Sequence, residues 1–131
     1  MKRVMIVDDE KNLAELISDF CQLADFEAKI VTDSTQALQT ALDWKPDIVT
    51  LDLEMPKMDG VEVLKQLQAN ETTRRIPVVV VSVVAQMALV NGFLEGAASV
   101  FEKPLRVKIL VEKIQKLLTG KSNSAPLRVL S

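Results

Sequence analysis

Short runs of consecutive apolar residues alternate along this chain with stretches in which apolar residues return every three or four positions. Residues 4–7 form the first run, continuous enough to fit a strand covered on both faces. After Asp8 and Asp9, Leu13, Leu16, Ile17, Phe20 and Leu23 or Ala24 share the spacing of one helix face. Glu27–Val31 is the second expected strand. Asp33 or Ser34 is placed to cap the next helix, with Gln36 three residues after Asp33 as its capping-box partner. That helix is expected to bury Ala37, Leu38, Ala41 and Leu42 and to stop at Lys45-Pro46.

Residues 47–52 form the third expected strand. Asp59 then caps a helix that buries Val61, Leu64 and Leu67 and ends near Asn70, followed by a polar connection over 70–75. Residues 76–82 hold the most β-branched run and predict a central parallel strand. A fourth helix is expected over 86–95, closing at Gly96. Ser99–Glu102 is a short fifth strand. A last helix carries Val107, Leu110, Val111, Ile114, Leu117 and Leu118 and ends at Gly120. Five strands alternating with five helices require right-handed parallel crossovers, which predicts a three-layer, doubly wound α/β fold. We find no internal repeat. The domain is expected over residues 1–119, with 120–131 a disordered tail or linker stub rich in Ser, Asn and Pro.

Composition narrows the function. At 131 residues the chain is one domain by length. A net charge of −2 gives no reason to expect direct contact with nucleic acid or an anionic membrane. The lone Cys21 cannot form an internal disulfide, and Asp8-Asp9-Glu10 cuts the first apolar run too short for a signal sequence or a span. A cytoplasmic location is the expectation. The sequence contains no histidine, which excludes His-based triads, His-ligated zinc and a phosphohistidine on this chain.

Candidate chemistry gathers at the ends of the expected strands, where ligands bind in open α/β sheets. Asp52 ends the third strand, Asp8 and Asp9 follow the first, Ser82 ends the fourth and Lys103 follows the fifth. Taken singly, each has a bland explanation. An acidic pair before a helix stabilises its positive end, and an aspartate in a turn is commonplace. Together they bring carboxylates, a hydroxyl and an ammonium group to one rim. The clustered carboxylates disfavour one another's charged forms, so a cation is expected among them. Hard oxygen donors without His or Cys point to Mg²⁺. Asp52 is then expected to accept a phosphoryl group.

The motifs Ile6-Val7-Asp8-Asp9-Glu10, the run Leu51-Asp52-Leu53-Glu54-Met55-Pro56-Lys57-Met58-Asp59-Gly60, Ser82 and Glu102-Lys103-Pro104 occur in this order. The set resembles the receiver domain of two-component response regulators, and the resemblance covers about Lys2 to Leu118. It implies a flavodoxin-like fold with sheet order 2-1-3-4-5 and phosphorylation of Asp52 by a partner histidine kinase or phosphotransfer protein. By the same resemblance Asp9, Asp52 and the Glu54 backbone carbonyl hold Mg²⁺, with Asp8 helping through water. Ser82 hydrogen-bonds one phosphoryl oxygen, Lys103 pairs with another, and the Lys103-Pro104 bond is cis. The family docks partners or dimerises through the fourth helix, fifth strand and fifth helix. Met87, Leu89, Val90, Phe93, Leu94 and Val100 make that region richer in apolar residues than one buried face requires.

Several positions depart from the family pattern. Val100 stands where a switch aromatic is usual, with Phe101 its neighbour on the opposite face, and Val83 replaces a small residue after Ser82. By the same resemblance Val84 and Glu54 border the water approach to the acceptor, which predicts a long-lived phosphorylated state. Leu105-Arg106 lacks a helix cap. Three other readings compete. A haloacid-dehalogenase-type phosphatase requires an aspartate two residues after its nucleophile, and that residue is Glu54 here. A receiver-like interaction module would have ceased to take phosphate. A flavin site would need a hydroxyl- and glycine-rich loop where this chain has Asp-Asp-Glu.

Overall fold

The computed structural model describes residues 1–55, 58–82 and 96–119. Five parallel strands form one sheet in the order β2-β1-β3-β4-β5. They are β1 (Arg3–Val7), β2 (Glu27–Val31), β3 (Ile48–Asp52), β4 (Val78–Ser82) and β5 (Ser99–Glu102). The described helices are α1 (Lys11–Leu23), α2 (Ala37–Trp44), α3 (Gly60–Ala69) and α4 (Val107–Thr119), with a 3₁₀ turn at Ser34–Gln36 leading into α2. The helix expected over 86–95 and the tail expected over 120–131 lie outside the described residues.

Burial along each strand follows its place in the sheet. The inner strands β3 and β4 are buried at every position, as their continuous apolar runs require. The edge strands alternate: Lys29 of β2 and Val100 of β5 are exposed, whereas Phe101 turns inward. Successive side chains of a strand leave on opposite faces, so β1 feeds two cores. Met5 and Val7 join Val49, Leu51, Leu64 and Leu67 on the α2 and α3 side. Val4 and Ile6 join Ala14, Ile17, Leu110 and Ile114 on the α1 and α4 side.

The buried face of α1 differs from the expected one. Ala14, Ile17, Ser18 and Cys21 are buried, Leu13 and Phe20 line its margin, and Leu16 and Leu23 are 45% and 82% exposed. Small side chains at 14, 18 and 21 let the helix backbone approach the sheet. The large apolar residues are thereby displaced around the helix toward solvent.

The other helix ends follow local chemistry. Asp33 accepts hydrogen bonds from the Thr35 amide and hydroxyl at 3.0 and 2.6 Å, so Asp33 and not Ser34 supplies the cap. Lys45, in the left-handed region at φ 55°, ends α2 ahead of Pro46. Asp59 accepts from the Glu62 amide at 3.0 Å, capping α3 as expected. In the connection after α3, Thr73 is buried and its hydroxyl donates to the Leu67 carbonyl at 2.7 Å, closing the helix end.

At the rim where the strands begin, Arg3 draws several elements together. Its amide donates to Asp47 Oδ2 at 2.7 Å and its Nη1 donates to the Trp44 carbonyl at 2.6 Å. The Trp44 ring has two cations nearby, with Arg3 Cζ at 5.4 Å and Lys29 Nζ at 5.7 Å from its centroid.

Candidate functional site

Strand register builds the site at the opposite rim. Val7 pairs with Leu51, which puts Asp8 and Asp52, the next residues of β1 and β3, side by side. Asp52 pairs with Val81 and Ser82 pairs with Glu102, so Ser82 and Lys103 follow in order across the sheet. The Lys103 amide donates to the Ser82 carbonyl at 2.9 Å. The peptide bond from Lys103 to Pro104 is cis, as the sequence resemblance implied. Four strand ends therefore deliver these residues to the same rim of the sheet.

One carboxylate oxygen from each of Asp8, Asp9 and Asp52 lies within 4.8 Å of the others. Asp8 and Asp52 are buried and Asp9 is exposed, so the cluster opens to solvent on the Asp9 side. Lys103 Nζ reaches Asp52 Oδ1 at 3.2 Å. The Asp52 carboxylate also accepts the Glu54 amide at 3.0 Å, and Asp8 accepts the Glu10 amide at 2.8 Å. Ser82 is fully buried at the end of β4.

Electrostatics follow from this crowding. Burial, reinforced by the neighbouring Asp52 charge, pushes Asp8 from an ordinary 3.8 up to about 7, against the pull of the Glu10 amide and Lys103. Asp52 is also raised by burial, while the Glu54 amide, Lys103 and a hydrogen bond from Asp8 oppose the rise. Burial works against the Lys103 charge, but Asp52 and Glu54 outweigh it and hold the lysine above its ordinary value.

Two contacts were not foreseen from sequence. The Glu54 carboxylate holds Lys103 Nζ at 3.4 Å, a partner the strand pattern gives no means of finding. The buried Ser34 hydroxyl accepts the Met58 amide at 3.1 Å, tying the loop after Asp52 to the turn after β2. Position 60 closes that loop. The Gly60 amide donates to the Leu53 carbonyl at 3.0 Å, and a Cβ there would collide with the backbone of Asp52 and Leu53. Val83, Val84 and the apolar residues 87–94 lie outside the described residues, while Val100 is exposed on β5.

Three carboxylates in one cluster provide an all-oxygen donor set that fits a hard divalent cation. Lys103 adds a counter-charge against Asp52.

Comparison with known proteins gives a consistent result. The family model described as the response regulator receiver domain matches residues 4–115. The chain is 30% identical over 119 residues to the DNA-binding dual master transcriptional regulator RpaA of Synechocystis, covering 90% of this chain and 49% of the relative. It is 30% identical over 131 residues to the DNA-binding response regulator MtrA of Mycobacterium tuberculosis, covering 99% of this chain and 56% of that protein. The chain thus spans about half the length of these relatives. Among solved structures, the response regulator TrrA of Thermotoga maritima, in complex with Mg²⁺-BeF, is 27% identical with a TM-score of 0.79. The match covers 90% of this chain and all of that one, 100%. A sensor protein from Polaromonas matches at 25% identity and a TM-score of 0.81, covering 91% of this chain and 97% of that one.

Proposed function

The chain belongs to the response regulator receiver domain family, and from that premise we propose that Asp52 accepts a phosphoryl group in a Mg²⁺-dependent reaction. The donor is a histidine kinase or histidine phosphotransfer protein. The observation that carries this reading is the Asp52–Lys103 pair at 3.2 Å beside the three-carboxylate cluster. The domain takes residues 1–119 in this reading.

Phosphoryl transfer demands positioning and charge neutralisation more than covalent assistance. An Asp52 oxygen attacks phosphorus, and the bond from phosphorus to the donor's imidazole nitrogen breaks with its electron pair staying on nitrogen. Lys103 moves its hydrogen bond toward a phosphoryl oxygen, and Ser82 donates to another. Asp9, Asp52 and the Glu54 backbone carbonyl would hold Mg²⁺, with Asp8 helping through water. Mg²⁺ bound there supplies charge neutralisation and orientation of the phosphoryl oxygens. Asp8 would release its proton to that arrangement, since a nearby cation favours the carboxylate.

The chain signals by docking, through a face that includes β5 with its exposed Val100 and α4. The same chemistry on a longer protein would control an attached output domain. Solution ultracentrifugation with and without fluoroberyllate tests the docking face; partner binding that survives charge substitutions across it would count against this assignment.

The central test offers a small phosphodonor, or fluoroberyllate, with and without Mg²⁺. Mass mapping should place the phosphoryl adduct on Asp52, and Asp52→Asn should abolish it. Label persisting on Asp52→Asn, or turnover of a generic phosphate ester, would overturn the reading.

A further inference from the structure

We propose that the Glu54 carboxylate is an internal competitor for Lys103, holding a hydrogen-bond donor that an arriving phosphoryl group needs and so setting how tightly the site takes that group up. The proposal rests on Asp52 being the acceptor. An ammonium has three donors. Here one is directed at Asp52 Oδ1 at 3.2 Å and another at Glu54 Oε1 at 3.4 Å. The third is left for a phosphoryl oxygen, but the ammonium, 20% exposed, already shares its charge between two anions.

Backbone geometry fixes which partner gives way. Asp52 and Glu54 are already joined by the Glu54 amide bond to Asp52 Oδ1 at 3.0 Å, so Glu54 cannot leave the neighbourhood as a whole. Its side chain can, because it lies at the half-open mouth while Asp52 is buried. A phosphoryl group on Asp52 would therefore share Lys103 with the Glu54 carboxylate until that side chain swings outward. Until it does, two anions contest one cation. Glu54 is a positioning residue in this account. It stabilises Lys103 before phosphorylation and opposes the state that follows.

An alternative geometry has the opposite sign. If Glu54 merely pre-orients Lys103 for the phosphoryl oxygen, removing its charge should loosen uptake. Glu54→Gln keeps the shape and removes the charge, so it separates the two. At saturating Mg²⁺, fluoroberyllate should bind Glu54→Gln more tightly than the parent, by roughly three- to tenfold, the scale of one part-exposed charge contact. The gain should shrink as salt rises.

Lys103→Met supplies the second arm of a double-mutant cycle. The gain from Glu54→Gln should vanish in the Lys103→Met background, because the competition acts through the ammonium. Thermal unfolding of each variant confirms that it folds. If the parent takes no fluoroberyllate, the reading of Asp52 as acceptor fails. If the parent binds it and Glu54→Gln binds equally or more weakly, the competition fails alone. A gain that persists without the lysine would reduce Glu54 to simple repulsion and overturn the proposal.

Discussion

Asp8 shows what the site costs the fold at the scale of one residue. Its pKa, raised by burial beside Asp52 to about 7 from an ordinary 3.8, means that between those pH values the folded protein holds a proton that the unfolded chain has lost. That contribution to stability is fully present below about pH 3.8 and is lost as pH rises through about 7. In metal-free buffer, thermal melts should therefore show the Asp8 contribution fading across that window, and Mg²⁺ should restore stability at neutral pH. Asp8→Asn removes the charge but keeps hydrogen-bonding groups. It should raise metal-free stability at pH 8, by about 1–3 kcal/mol for one relieved buried charge, and should blunt the Mg²⁺ effect. A variant no more stable than the parent at pH 8 would contradict the assignment of strain to Asp8. The identities of Asp8, Asp9, Asp52, Ser82 and Lys103 were legible because each follows an apolar run. The partners of Glu54 and Ser34 were not, since side-chain direction in a loop leaves no periodic trace.

Among the elements, the loop between β3 and α3 depends on two restraints outside Asp52 itself. Ser34→Ala should remove the acceptor for the Met58 amide, costing about 1 kcal/mol of stability. It should also weaken fluoroberyllate binding, because the loop that carries the Glu54 carbonyl is less firmly held. Gly60→Ala should cost more, about 2 kcal/mol or beyond, since the clash is with backbone that cannot yield cheaply. Denaturant melts of the two variants give both numbers, and equal stability for Gly60→Ala and the parent would refute the close approach. The α1 helix carries a different lesson. Its 3.6-residue period predicted a helix correctly, yet the buried face is centred on Ala14, Ile17, Ser18 and Cys21. Hydrophobic size alone misplaced it, because closest approach to the sheet selects small side chains. Leu23→Ser should change stability by no more than about 0.5 kcal/mol, whereas Ile17→Ala should cost about 2–4 kcal/mol. A large loss from Leu23→Ser would restore the expected face.

For the molecule as a whole, the alternation of apolar runs and helical periods gave the layers and the parallel sheet. Strand order came from family resemblance, because a pattern of apolar residues does not say which strands are neighbours. The structure confirms that order, with β1 and β3 adjacent and the carboxylate cluster at their ends. Polarity along the strands then separates two rims: one holds Asp52 and Lys103, the other Arg3, Asp47 and Trp44. A five-residue strand spans roughly 17 Å between them. Trp44 is the only tryptophan and the chain has no tyrosine, so a single indole dominates its ultraviolet emission. That indole lies close to two cations whose placement depends on β1, β2 and the start of β3 being assembled. Its fluorescence should shift sharply on denaturation and stay nearly flat through a Mg²⁺ or fluoroberyllate titration. The optical reporter thus stands at the rim where assembly of the sheet is felt, about the length of a strand away from the carboxylate cluster.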